Sequence, residues 1–166
     1  MDISSFAIRK ATATDRPAIW NIFHEVVKAG DSYTFDPAIS EEEAMAYWLG
    51  TDKQTYVAEI NDQIAGTYIL KSNQPGLGSH VANGSYMVGG HFRGLSVGRK
   101  LGEHSLIEAR KMGYLAIQFN IVISTNTPAV ELWKKLGFNI VGTLPDAFWH
   151  QGLGAFVDAY VMYRKL

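Results

Sequence analysis

Residues 91–106 read HFRGLSVGRKLGEHSL, preceded by SYMV over 85–88. The apolar run of SYMV predicts a strand, and the spacing after Val97 predicts a helix over Val97–Met112 that stops at Gly113. The turn between them is rich in glycine and cations. The first turn of a helix exposes unpaired N–H groups and carries about half a positive elementary charge. A strand–turn–helix of this kind is therefore suited to hold an anion. Arg93, Arg99 and Lys100 add full positive charge, and Gly94 and Gly98 keep side chains away from the backbone. Neither the Gly-Lys-Ser/Thr of a P-loop nor the G-x-G-x-x-G of a dinucleotide site is present. Two readings stay open from this stretch alone: a phosphate cradle, or an ordinary helix start with surface cations.

Working outward, FAIRKA predicts a first strand by its alternation, and TATDRPAIWNIFHEVVKAG a helix capped by Thr14 or Asp15. SEEEAMAYWLG predicts a second helix, with Ser40 and Glu43 at capping-box spacing. TYVAEI and IAGTYILKS are strands joined by a short NDQ turn, and VANGSYMV is the strand that enters the turn. Beyond Gly113, YLAIQFNIV is apolar enough to be buried on both faces. TPAVELWKKLG predicts a short helix with Thr127 as cap and Pro128 in its first turn. FNIVGTL and AFVDAYVMYRK close the chain as strands around an aromatic loop, PDAFWHQGLG. The order β-α-α-β-β-β-α-β-α-β-β predicts an α/β fold with a mixed sheet, in one domain over residues 1–166.

The whole chain sets limits on function. Its 166 residues carry a net charge of -1, which argues against nucleic-acid binding through the overall field. Cysteine is absent, so disulfides, a thiolate nucleophile and Cys-ligated zinc are excluded. MDISSFAIRK lacks the order of a secretory leader, and no apolar run reaches membrane-spanning length. The expectation is a cytoplasmic protein with no membrane or nucleic-acid partner. HEVVK at His24 misses the zinc motif H-E-x-x-H, and the remaining histidines have no ligand spacing, so no metal is expected.

FRGLSVGRKL resembles the acyl-CoA signature [Q/R]-x-x-G-x-[G/A] of the GNAT superfamily of N-acetyltransferases, with Arg93 first and Gly98 last. NTPAVELWKKLGF resembles the second signature of that family through Asn126, Ala129, Leu132, Lys135, Gly137 and Phe138. IRKATATD and YVAEINDQIAGTYIL are similar to its opening and its strand hairpin, so the resemblance runs along nearly the whole chain. It implies the GNAT acyl-CoA N-acyltransferase fold, a mixed central sheet of about seven strands flanked by about four helices. Two positions depart from the pattern: Ser96 stands for the middle glycine and Trp133 for a tyrosine. A serine is expected to accept ordinary helix-start dihedrals, with its hydroxyl free to bond a phosphate oxygen.

The resemblance implies direct attack of an amine on the thioester of acetyl-CoA in a ternary complex, with no metal. It assigns the cofactor to Met87, Val88, Arg93, Gly94, Leu95, Ser96, Val97, Gly98, Arg99, Lys100, Asn126, Trp133 and Lys135. The N–H of Val88 or a neighbour would hold the oxyanion, a contribution of a few kcal/mol. The usual acid for the leaving thiolate is the tyrosine that Trp133 replaces. An indole N–H donates a hydrogen bond but no proton. Yet a thiol with a pKa near 8.5 leaves as the anion, so catalysis survives the exchange. Core packing is the favoured alternative for Trp133.

Glu25, Asp31, Asp36 and Glu59 are all candidates for the base. Asn120 and Asn126 are candidates to hold the substrate, with sheet-end and loop roles as their alternatives. GDSYTFDP resembles the acceptor region of the small-amine branch, the phosphinothricin-type and proline-analogue enzymes. It places Tyr33, Thr34 and Phe35 at the substrate, with an aromatic staple between helices as the alternative; Tyr86 and Asn120 are further substrate-binding candidates. An α-amino group near pKa 8 is partly neutral at pH 7, unlike a lysine amine, so an amino acid or analogue is expected. A homodimer is also implied. A non-catalytic CoA-binding module and a protein or peptide acetyltransferase are the competing functions.

Overall fold

The computed structural model describes residues 5–166. Residues 1–4, part of the stretch read above for a leader, lie outside the described residues. The strands are β1 (Phe6–Lys10), β2 (Gln54–Ile60), β3 (Gln63–Ser72), β4 (Val81–Val88), β5 (Ala116–Ile123), β6 (Asn139–His150) and β7 (Ala155–Lys165). The helices are α1 (Arg16–Lys28), α2 (Glu41–Trp48), α3 (Val97–Lys111) and α4 (Thr127–Lys135). One sheet of 7 strands runs in the order β1-β2-β3-β4-β5-β7-β6. This is the mixed α/β arrangement and element order expected from the sequence.

Two apolar layers cover the sheet. Ile19, Ile22, Phe23, Val26 and Val27 recur at helical spacing and bury α1, with α2, against one face. Val97, Leu101, Leu106 and Ala109 do the same for α3 on the other face, where α4 also packs. Full burial of side chains such as Phe23, Ile69 and Leu101 contributes about 1.5–3 kcal/mol each. Asn61 and Asp62, at φ 48° and 62°, make the tight turn between β2 and β3. Ser40 and Glu43 form the expected capping box on α2.

All strand pairs are antiparallel except β4 and β5. Those two are parallel and paired only at Val81↔Ala116 and Ala82↔Ile117. Beyond Ala82 they part, and the rest of β4 presents an edge in the middle of the sheet. This gap positions the site.

Four local expectations are corrected. The cap of α4 is Asn126, whose side chain accepts the Ala129 N–H at 3.4 Å; Thr127 is already helical. Most of the supposed loop over 145–154 is strand. A register shift between Leu144 and Phe148 absorbs Pro145, and Asp146, at φ 51°, donates its N–H to the Asp158 carboxylate. β6 then resumes as far as His150. β5 is not buried throughout: a register shift leaves Asn120 and Ile121 exposed. Ser96 is left-handed, at φ 60° and ψ 17°, and its hydroxyl makes no capping bond. The glycine of the family pattern suits that conformation, which costs a serine about 1 kcal/mol.

Candidate functional site

The turn from β4 into α3 brings backbone donors together. Gly94 at φ 81° and Ser96 at φ 60° reverse the chain, while Arg93 is extended. The first helical bond is Lys100 N–H to the Ser96 carbonyl. The N–H groups of Gly94, Ser96, Val97, Gly98 and Arg99 have no acceptor among the described residues. A Cβ on Gly94 would meet nothing within 4 Å, and one on Gly98 only Leu132 and Val88 at 3.7 Å. The result is an open, electropositive nest at the start of a 15-residue helix.

The cations around the nest differ. Arg93 and Lys135 are exposed, and no carboxylate pairs with either among the described residues. Arg99 is bound to Glu103 at 2.8 Å, and Lys100 lies over the Phe6 ring at 3.9 Å. Leu95 packs into the core beneath the turn. The donor set, with glycines where a bulky anion approaches backbone, fits the diphosphate of a coenzyme A.

β4 leads away from the nest. Gly89 donates to the Ala65 carbonyl on β3, whereas the Tyr86 N–H points to the open side and meets the Tyr33 hydroxyl at 2.8 Å. By the alternation of a strand, the Val88 N–H lies on that open side as well. Met87 turns the other way: its backbone faces β3 and its side chain is buried with α1 and α2. The Tyr33 hydroxyl also donates to the Tyr86 carbonyl at 2.6 Å. One side chain thus satisfies both backbone groups of Tyr86, as a neighbouring strand would. Burial pushes the Tyr33 and Tyr86 phenols well above their ordinary value, so both are neutral donors.

Past Tyr86 the edge opens into a cavity of about 240 Å³. It brings together Tyr33, Thr34, Phe35, Tyr86, Asn120, Asn126 and Trp133, all predicted site residues. Val88 and the nest lie outside its lining, joined to it by β4. Phe35 lies 5.0 Å from Phe23 and 5.2 Å from Tyr47, so it staples α1 to α2 while also lining the cavity. Asn120 is exposed at the mouth, donating to Asn73 at 2.7 Å and accepting from Gln118 at 2.9 Å.

Trp133 forms the floor. Its ring lies 4.7 Å from Tyr86 and 4.6 Å from Phe119, over Gly102, where an added Cβ would come within 3.1 Å of the indole. It is core packing and cavity wall at once. Its indole N–H has no protein acceptor among the described residues, where no buried polar side-chain atom lacks a partner. That N–H is therefore accessible, on a residue that lines the cavity.

Glu25, Asp31, Asp36 and Glu59 do not line the cavity. Glu25 accepts the Gly90 N–H, Asp36 the Ala38 N–H, and Glu59 pairs with Arg9. Among the described residues, no group of three or more His, Asp or Glu is placed to hold a metal ion. Sequence reading missed Tyr47, Asn83 and Phe119 as wall residues. Asn83 holds the point where the strands part, donating to the Gln118 carbonyl at 2.9 Å. Strand patterning places these residues on a face but carries no signal for the separation of two strands.

Residues 18–138 match the model of the acetyltransferase (GNAT) family. The fold superposes with a TM-score of 0.92 on a GCN5-related N-acetyltransferase from Kribbella flavida, at 41% identity over 97% of this chain and 98% of that one. The N-acetyltransferase aca1 of Schizosaccharomyces pombe is 27% identical over 151 residues, 81% of this chain and 72% of its own. The yncA structure from Salmonella typhimurium, solved with acetyl-CoA, has the same fold: TM-score 0.87, 23% identity, 98% of this chain and 95% of that one.

Proposed function

Because the chain belongs to the GNAT acetyltransferase family and so uses acetyl-CoA, we propose that its acceptor is the amine of a small molecule, an amino acid or amino-acid analogue. Acetyl-CoA supplies the activated acetyl group as a thioester, and transfer is direct, within a ternary complex. One observation carries the reading: unpaired amide N–H groups at the start of α3 continue into the open edge of β4, and that edge ends in a small cavity with aromatic walls. An anion at one end and a small amine at the other fit this layout.

In this reading the N–H groups of Gly94 and Ser96 to Arg99, with Arg93, Lys100 and Lys135, hold the diphosphate, and Leu95 fixes the turn. The Val88 N–H, free on the open edge, donates to the acetyl oxygen; a preorganised donor there lowers the barrier by a few kcal/mol. Met87, paired with β3, keeps Val88 in register. The Trp133 N–H donates a hydrogen bond towards the reacting end, and Asn126 and Asn120 orient the acceptor. Tyr33, Thr34, Phe35 and Tyr86 wall it in.

Tyr33 also favours a small molecule over a peptide. Its hydroxyl already occupies the backbone groups of Tyr86 that an extended chain would need for strand addition. A homodimer is part of the proposal, supported by exposed Ile140, Val141, Trp149 and Phe156 on β6 and β7. So are a cytoplasmic location and a single catalytic domain over residues 1–166. The test is thiol release from acetyl-CoA over free amino acids, proline analogues, amino amides, polyamines and lysine peptides. Turnover of small amines is expected. Tight acetyl-CoA binding without turnover of any amine would make the chain a coenzyme-binding module, and turnover of peptides alone a peptide acetyltransferase.

A further inference from the structure

Within that reading of a small-amine acceptor, we infer that the acceptor enters uncharged: a weakly basic amine with no free carboxylate and no second ammonium, of the α-amino amide class. It is an amino-acid analogue whose acid group is masked.

The inference starts from the walls. The cavity beyond Tyr86 is lined by aromatic, aliphatic, hydroxyl and amide side chains, and no Asp, Glu, Lys, Arg or His is among them. A second cavity of about 290 Å³ shares Tyr33, Thr34 and Phe35 with the first and adds Pro37, Phe148, Trp149 and Gln151, again without a charged side chain. A carboxylate drawn from water into such walls loses its hydration and meets no cation.

Hydrogen bonds offer little replacement, because most polar groups of the wall are already engaged. The Asn120 amide N–H₂ donates to Asn73, the Asn83 amide to the Gln118 carbonyl, the Tyr86 hydroxyl to Ser105, and the Tyr33 hydroxyl to the Tyr86 carbonyl. The Asn126 side-chain oxygen is held by the Ala129 N–H. What stays available is a sparse set: the Trp133 N–H, the Asn126 amide N–H₂, wall hydroxyls and the backbone groups of the open β4 edge that Tyr33 does not cover. A neutral amide gives up less hydration than a carboxylate and can be served by so few donors, whereas a carboxylate stripped of water needs several or a cation.

The amine end leads to the same class. Without a carboxylate in the wall, nothing there takes a proton from an ammonium ion or balances its charge. The amine therefore arrives neutral. An α-amino group beside an amide has a pKa of about 7.7–8.0 and is about a quarter to two fifths neutral at pH 7.5. An adjacent carboxylate stabilises the ammonium and lowers that fraction. Masking the acid thus removes a charge the walls cannot hold and frees the amine to react.

The test compares kcat/KM at pH 7.5 for matched pairs: L-phenylalanine with L-phenylalaninamide, and L-leucine with L-leucinamide. The amide is expected to exceed the acid by at least about 30-fold in each pair. Acids consumed within threefold of the amides, or faster, overturn the inference. A cation added to the wall gives an independent check. Ile121→Lys, at an exposed position of the lining, and Thr34→Arg, on the exposed loop, are each expected to narrow the ratio by at least tenfold. A ratio unmoved in both folded variants also overturns it. Failure of the underlying small-amine reading looks different: acetyl-CoA binds by calorimetry, yet no member of any pair is acetylated, and the inference falls with it.

Discussion

Removing the Tyr33 hydroxyl tests how the β4 edge is built. Tyr33→Phe keeps the ring beside Phe35, 6.2 Å away, and deletes only the oxygen that bonds both the N–H and the carbonyl of Tyr86. Each orphaned backbone group costs about 1–3 kcal/mol when no partner replaces the lost one. Both face a cavity that water can enter, which places the pair near the low end, about 2 kcal/mol in all. For a chain of 166 residues this lowers Tm by about 4–8 °C. The assay is differential scanning calorimetry of both proteins, with amide hydrogen exchange read at Tyr86. Faster exchange of that one amide, beyond the global change, is expected. A Tm within 1 °C of the parent, with Tyr86 exchange unaltered, would refute the claim that Tyr33 substitutes for a missing strand.

Three further outcomes follow from the geometry. Gly98→Asp places a carboxylate at the nest while its Cβ meets only ordinary contacts at 3.7 Å; Kd for coenzyme A by calorimetry should rise at least about 30-fold while Tm holds within a few degrees. Ser96→Gly relieves the left-handed serine at φ 60° by about 1 kcal/mol but adds the entropy cost of glycine, about 0.5–1 kcal/mol, so chemical denaturation should show a net gain of no more than about 0.5 kcal/mol, with coenzyme affinity retained. Arg9, bonded to Asp15 at 2.8 Å and 2.9 Å, holds that carboxyl at about 2. A carboxyl with a lowered folded pKa stabilises fully above its unfolded value near 3.8 and loses that contribution as pH falls through about 2. Relative to Asp15→Asn, the parent should be about 1–2 kcal/mol more stable at pH 6, with the difference largely lost at pH 2 and gone below it, as measured by urea unfolding.

The elements themselves are legible in the sequence because their signals are local. The apolar spacing of α1, the Ser40–Glu43 box, the Asn61–Asp62 turn and the stop at Gly113 each act within a few residues. The nest is legible for the same reason, since strand, glycines and helix start are contiguous from Ser85 to Lys100. Where reading failed, a distant partner had decided. The pairing of β6 with β7 pulls residues 145–150 into a strand despite Pro145, and Asp158 supplies the acceptor at the bulge. At α4, Asn126 and Thr127 are both plausible caps by type, and only the path from β5 selects Asn126.

Residue chemistry and short-range order, then, were determined by the sequence alone: an anion nest at a helix start, an aromatic loop before α2, and a tryptophan at the end of the cavity-lining face of α4. The tertiary structure decided what these become together. β4 and β5 part after Ala82, Tyr33 reaches from the loop between α1 and α2 to close the exposed edge, and Trp133 settles on Gly102 as the floor of the cavity between them. None of this is encoded in spacing, because the gap belongs to two strands more than 30 residues apart. Their separation depends on packing from both faces of the sheet at once. The absence of charge from the walls has the same origin: the sequence around them carries Asp31, Asp36 and Glu25, and the fold alone turns these away.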